Sequence, residues 1–233
     1  MKVAVITPYY KESLEIIRNC HESVLNQTVK CLHVLVADGF PLIEINNWDV
    51  DHVILPMSHN DIGSTPRLIG CYHAIGLGYD AVTFLDADNW YRYDHIESLI
   101  KLFIETKAAF ISSTRYVCRL DGSVMGICNQ TNPQRFIDTN CMMFTRQGFH
   151  LLDFWALMPS YAHLIGDRVM LQKVNQSGVI VSHSGLPTVY YRCSKEGIYK
   201  SLNEPIPEGV QSRPDYESSF KMWVEDGNPE ILY

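Results

Sequence analysis

The sequence predicts an α/β fold built on a mostly parallel central sheet flanked by helices, with a smaller mixed or antiparallel part. Three observations carry this. The first ~110 residues alternate short β-branched apolar runs with segments of helical spacing, as parallel β-α-β units do. The later residues lose that rhythm and carry a hairpin signal at Asp121-Gly122. Hydrophobic residues make up 46% of the 233, enough for a sizeable core.

The elements follow in order. Residues 3–7 form an uninterrupted β-branched run and read as a buried strand. Residues 13–26 place Leu14, Ile17, Val24 and Leu25 on one helical face, with Ser13 as N-cap. Strands are predicted at 31–36, ending at Ala37-Asp38-Gly39, and at 52–55, stopped by Pro56. Ser64-Thr65-Pro66 opens a helix over 64–77 as a cap plus an early proline. A fourth strand covers 81–85 and an amphipathic helix 96–106. Beyond it come strands 111–119 and 123–127, strand 141–145, helices 147–157 and 167–176, strand 179–182 and an extended piece 188–191. Pro205, Pro207, Pro214 and Pro229 mark residues 203–233 as an irregular tail. With no repeat and no linker, the chain reads as one domain with two halves, 1–110 and 111–202, plus that tail.

Composition narrows function. A net charge of −7 argues against nucleic-acid binding, which begins with clustered Lys and Arg. Seven scattered Cys without a C-x-x-C pair indicate neither a zinc site nor a disulfide framework, and fit reduced thiols in the cytoplasm. No apolar run reaches the ~18 residues of a transmembrane helix. Peripheral attachment at the inner face of a membrane stays open, though no basic cluster supports it.

In open α/β sheets ligands bind beyond the carboxyl ends of the strands. Those ends carry Thr7-Pro8-Tyr9, Asp38, the segment 57–63 and Asp86-Ala87-Asp88-Asn89. Two carboxylates at i, i+2 suit one hard cation, Mn²⁺ or Mg²⁺, that offsets charge on a diphosphate. The spacing alone is weak, since Asp49-Val50-Asp51 also shows it. Asp49 and Asp51 lie after Asn46-Asn47-Trp48 and read as a solvated surface turn. Asp86 and Asp88 instead end a buried run, where a carboxylate is costly unless something compensates it.

The chain resembles the inverting, nucleotide-sugar-dependent glycosyltransferases of family 2, which have the GT-A fold with its Rossmann-like sheet. The likeness runs over residues 1–192. It is strongest at Asn60-Asp61-Ile62-Gly63-Ser64-Thr65-Pro66-Arg67-Leu68-Ile69-Gly70 and at 81–88, the family's Asn-x-Gly loop, Arg-bearing helix and Leu-Asp-Ala-Asp. The resemblance implies that Thr7, Pro8 and Tyr9 frame the base and that Asp38 hydrogen-bonds it, with Ala37 in place of the family's first Asp. It implies Arg67 beside base or phosphates, Asp86 on the ribose or a metal-bound water, and Asp88 on the metal. Thr139 and Asn140 would begin the strand under the acceptor. Asp167 would be the catalytic base, with Gly166 where the family has Glu, and Tyr191-Arg192 would shape the acceptor and phosphate side. His183, after a strand end, is a candidate third metal ligand.

Plain readings stand beside these. Asp38-Gly39 is a common turn, Arg67 a solvated helix residue, Asp167 a first-turn helix acid, His183 a structural histidine, and Asp86 and Asp88 helix-capping acids. The implied activity is transfer of a sugar from a UDP-type donor to a saccharide or lipid-linked saccharide, as in polysaccharide biosynthesis. The family's processive Gln-x-x-Arg-Trp is absent, which favours single additions. A sugar-phosphate nucleotidyltransferase is the nearest rival, but Thr7-Pro8-Tyr9-Tyr10-Lys11 is not its Gly-rich basic loop. A catalytically silent GT-A domain used for binding or assembly is the other; both Asp88 and Asp167 are present against it. Tyr216, Phe220, Trp223 and Tyr233 of the tail have three placements: over the acceptor, on the domain, or in a homodimer.

Overall fold

The computed structural model describes residues 1–212 and 214–231. The first half is laid out as the apolar runs dictate. Strand β1 (Val3–Tyr9) leads to helix α1 (Leu14–Leu25), β2 (Leu32–Asp38), β3 (Asp51–Leu55), α2 (Ser64–Gly76) and β4 (Ala81–Phe84). Ser13 caps α1 as expected, its side chain accepting from the Ile16 N–H. β3-β2-β1-β4 pair in parallel in that order. The i, i+3, i+4 apolar faces of α1 and α2 then have a continuous apolar sheet to cover.

The start of α2 differs from expectation. Gly63, at φ +81°, is its N-cap, and Ser64 is already helical. The capping oxygen comes from Asp61, whose Oδ2 accepts from the Thr65 N–H at 2.7 Å. Asp51 also departs from the predicted surface turn: it opens β3 and bonds His73 Nε2 at 2.8 Å.

Next come β5 (Trp90–Tyr91), α3 (His95–Thr106), β6 (Phe110–Cys118) and β7 (Val124–Ile127). β6 and β7 form the antiparallel hairpin announced by Asp121-Gly122. A 3-10 turn over Thr139–Cys141 leads into β8 (Met142–Thr145). β8 lies antiparallel between β4 and β6, and so ties the second half onto the first. The predicted helix 147–157 is broken into a 3-10 turn, Arg146–Leu151, and a short α4 (Phe154–Leu157). α5 (Gly166–Gln176) follows, and then β9 (Val181–Arg192), one long strand where two pieces were expected. β9 runs parallel to β6, with register shifts between Ser112 and Arg115.

The tail is helical in part: α6 (Glu196–Ser201) and α7 (Tyr216–Glu225). Trp223 is buried and its Nε1 donates to Gln172 Oε1 at 3.1 Å, so α7 packs on the domain. Tyr233 lies outside the described residues.

The sheet delivers β1, β2 and β4 side by side, with the ends at Tyr9, Asp38 and Asp86 on one edge. Gly39 keeps that edge open. It has φ +83°, and a Cβ there would lie 2.5 Å from the Ser58 nitrogen and 2.7 Å from the Met57 carbonyl carbon. Gly39→Ala is therefore expected to destabilise the chain by about 2 kcal/mol. It should also displace the 57–63 loop, read as a lower melting temperature.

Candidate active site

The end of β4 holds Asp86 between two partners. Arg67 Nη2 donates to Asp86 Oδ1 at 2.5 Å, and Asn140 Nδ2 donates to Asp86 Oδ2 at 3.0 Å. Arg67 is 7% exposed, so the solvated reading of this residue fails. Its Nη1 donates to the Ile62 carbonyl at 2.8 Å, and its guanidinium lies 5.4 Å from the Trp155 ring. The loop it grips is strained: Asn60 and Ile62 sit at φ 53° and 55°, a region a β-branched residue rarely enters.

Asp88 differs from Asp86. No other residue among those described hydrogen-bonds its carboxylate. Burial, then the charges of Asp86 and Glu12, push its pKa up to about 7. Two further polar atoms beside it, Asn89 Nδ2 and Arg192 Nε, are buried without a partner among the described residues. The Arg192 N–H donates to Asn89 Oδ1 at 2.8 Å, which fixes the end of β9 against this loop. Arg192 therefore belongs with Asp88 rather than with the acceptor side, whereas Tyr191, its neighbour in β9, turns the other way, as alternation requires.

At the end of β1 the expected roles shift. Thr7 is fully buried and bonds His33 Nε2 at 2.9 Å. Tyr9 is buried too, with its hydroxyl on His52 Nε2 at 2.7 Å and accepting from the Leu42 N–H at 3.0 Å. Both side chains are committed to the packing of α1 and β2, so they do not face a base. Pro8 lies between them, beside Gly63. The residues sequence reading passed over are Tyr10 and Phe40, exposed and edge-to-face at 4.8 Å. Asp38 is 6% exposed and takes His59 Nδ1 at 2.7 Å.

His183 does not join this group. It bonds Ser112 Oγ at 2.9 Å, and β6 runs six residues from the partner of His183 to the partner of Arg192, roughly 20 Å at strand spacing. Among the described residues no cluster of three or more His, Cys, Asp or Glu could hold a metal. Among the described residues, no third His, Cys, Asp or Glu stands with Asp86 and Asp88.

The second centre lies behind Asn140, which is 1% exposed. Asn140 and Thr139 form the 3-10 turn before β8 rather than its first residues. The Asn140 Oδ1 accepts from the Asp86 N–H at 2.5 Å, while its Nδ2 also donates to Asp138 Oδ1 at 2.7 Å. Asp138 in turn pairs with the buried Arg115, whose guanidinium lies 3.9 Å from the Tyr191 ring. Arg115, Asp138 and Tyr191 line a cavity of about 570 Å³ that also takes in Asp167 and Thr131. Burial, then the charge of Asp138, lifts the Asp167 pKa to about 6, against Arg168 and the Arg168 N–H that it accepts at 2.7 Å. Asp138 and Arg115 have no sequence signature; they are met only because β6 and the 138–141 turn cross.

Comparison with known proteins bears on the fold and the family. S. aureus TarS 1-349 in complex with UDP superposes with a TM-score of 0.62 at 16% identity, over 86% of this chain and 63% of that one. The same protein in complex with UDP-GlcNAc gives 0.65 at 14% identity, over all of this chain and 68% of that one. At such identity the likeness is one of fold, the GT-A arrangement. A 115-residue stretch, 46% of the chain, is 31% identical to glycosyltransferase GlyA of Streptococcus pneumoniae serotype 4 and spans 16% of that relative. No helix among the described residues is long and apolar enough to cross a membrane. The model of the glycosyl transferase family 2 matches residues 4–174, from the first strand through the helix that carries Asp167, and the chain belongs to that family.

Proposed function

We infer that this glycosyltransferase takes a sugar from a UDP-type nucleoside-diphosphate sugar. It places the sugar on a hydroxyl of a saccharide or lipid-linked saccharide, in one displacement with inversion. The observation that carries this is Asn140. One buried side chain holds Asp86 on one side and Asp138, the neighbour of Asp167, on the other. A leaving-group site and a base are set on opposite flanks of one residue.

On the donor side Asp38 accepts from the base once His59 yields, and Pro8, Tyr10 and Phe40 offer it apolar surface. Arg67 and Asn140 fix Asp86. Asn89 Nδ2 and Arg192 Nε are spare donors for diphosphate oxygens. The residues fit a Mn²⁺ or Mg²⁺ site of the type completed by substrate phosphates: Asp88 is a carboxylate that no other described residue donates to, at a strand end next to a second acid. A cation held by Asp88, with Asp86 through water, would supply positive charge against the departing diphosphate.

Asp167 accepts the proton of the acceptor hydroxyl as the oxygen attacks the anomeric carbon and the bond to the diphosphate breaks. A pKa of about 6 leaves it ionised at neutral pH yet basic enough to draw a proton. Because the attack is direct, configuration inverts.

A mass-spectrometric screen of nucleotide sugars for hydrolysis and transfer, with and without Mn²⁺, tests this. Turnover of at least one donor is expected, and Asp88→Ala should lower it by about a hundredfold or more. No turnover of any donor, or an Asp88→Ala enzyme as active as the parent, would overturn the reading.

A further inference from the structure

The cavity beside Asp167 has the wrong charge for an acidic protein. The chain carries −7 overall. Yet the described residues lining this cavity include Arg115, Arg135, Arg168 and Lys195 against only Asp138 and Asp167. Two of the cations are occupied: Arg115 by Asp138, and Lys195 by Gln211 Oε1 at 2.7 Å.

Arg168 is not. Among the described residues none accepts a hydrogen bond from its guanidinium. It is held by rings instead, 4.5 Å from the centre of Phe136 and 5.8 Å from that of Phe220. Aromatic faces orient the planar fork without satisfying its N–H groups. Burial pulls its pKa below the usual arginine value, the signature of a charge short of solvent. Arg115 adds a second open donor: its Nε is fully buried and has no partner among the described residues. A fork of this kind matches one ligand chemistry best, an oxyanion that accepts two parallel N–H bonds.

The donor diphosphate is not that oxyanion. Asp88, Asn89, Arg67 and Arg192 do not line this cavity, whereas Tyr191 and the Arg115–Asp138 pair do. Asp167 and Arg168 both line this one cavity, so an anion on Arg168 shares it with any hydroxyl that Asp167 deprotonates.

The geometry points to an acceptor that bears a phosphate or carboxylate near the hydroxyl to be glycosylated, with Arg168 as the residue that reads it. This rests on the acceptor side assigned under Proposed function. A sugar acid and a sugar or polyol phosphate share the required group.

The test uses the full chain with saturating UDP and Mn²⁺, titrated by calorimetry with glycerol 3-phosphate, glucuronate, glycerol and glucose. At least one anion should bind while its neutral counterpart does not, and whichever binds tells phosphate from carboxylate. R168Q should weaken that binding tenfold or more, and R168K should recover part of it. UDP affinity should be the same in all three proteins, which also reports that the variants fold. Anion binding unchanged in R168Q, absent from the parent, or matched by the neutral compounds overturns the proposal. The anion titrations are repeated without UDP. Failure of UDP to bind the parent would then count against the nucleotide-sugar reading alone, while the anion arm still decides the role of Arg168.

Discussion

Replacing Asp167 with Asn is expected to lower transfer by about a hundredfold or more and, at pH 8, to make the protein more stable. The first effect follows from the general-base role proposed for Asp167, whose contribution runs from about 10² to 10⁴. The second follows from the sign of the pKa shift. Burial, then Asp138, raises Asp167 from 3.8 to about 6. The folded chain thus keeps this proton to higher pH than the unfolded chain does. The protonated acid is fully favourable below about pH 4, and stability is lost as pH rises from there through about 6. Above that range the ionised carboxylate, half-buried at the cavity wall, is a standing penalty of at most about 3 kcal/mol for two pKa units. Asn keeps the shape and never ionises, so it escapes the penalty. In the parent enzyme kcat/KM should rise with pH through about 6, because only the ionised form accepts a proton. Urea unfolding at pH 5 and pH 8 separates the two effects. A variant that loses activity and also loses stability at pH 8 would show Asp167 to be a structural anchor instead. UDP binding should stay at the parent level, since Asp167 does not touch the Asp86–Asp88 loop.

Burial also explains which parts of the molecule were legible in the sequence. β1, β2 and β4 are buried on both faces, so their residues are uninterrupted apolar runs, and the loops at their ends must carry the polar residues left over. Asp38 and Asp86 were visible for that reason. β9 was split because Ser184, Gly185 and Pro187 interrupt its pattern. The strand instead absorbs them in a register shift against β6, from Ser112–His183 to Thr114–Pro187. Local spacing does not reveal a bulge whose cause is the partner strand. The split also isolated His183 at an apparent strand end and suggested a metal role, whereas the side chain bonds Ser112 Oγ away from Asp88.

The helix over 147–157 failed for a related reason. At Gly148 the chain passes so close to the Ala109 carbonyl that a Cβ would lie 2.5 Å from its oxygen. A 3-10 turn keeps the apolar i, i+3 spacing while permitting that approach. In the tail, counting prolines hid a start signal. Pro214 precedes Asp215, whose carboxylate accepts from the Ser218 N–H at 3.1 Å and caps α7. The same logic undid Thr7 and Tyr9: position at a strand end predicted exposure, but alternation turned both toward α1. Arg168 escaped notice because nothing local distinguishes it from a solvated helix residue. Its meaning comes from Phe136, thirty-two positions earlier in the chain.

Asp138→Ala is the substitution with the largest expected loss of stability, about 3–5 kcal/mol. Arg115 is 3% exposed and Asp138 8%. Removing the acid leaves a guanidinium buried without its counter-ion, and that cost exceeds whatever the intact pair contributes. Asn140 loses an acceptor in the same step, since its N–H and Nδ2 both donate to Asp138 Oδ1. The gentler Asp138→Asn keeps the shape and removes only the charge. It should move the acid limb of the pH profile below 6, because the Asp138 charge is the second contributor holding the Asp167 pKa up. Combining Asp138→Ala with Arg115→Met removes the stranded charge, so the double variant should recover stability relative to Asp138→Ala alone while activity stays low. Recovery of both would place the pair in the scaffold only. Recovery of neither would mean that Asn140, rather than the ion pair, carries the coupling between the two halves of the site.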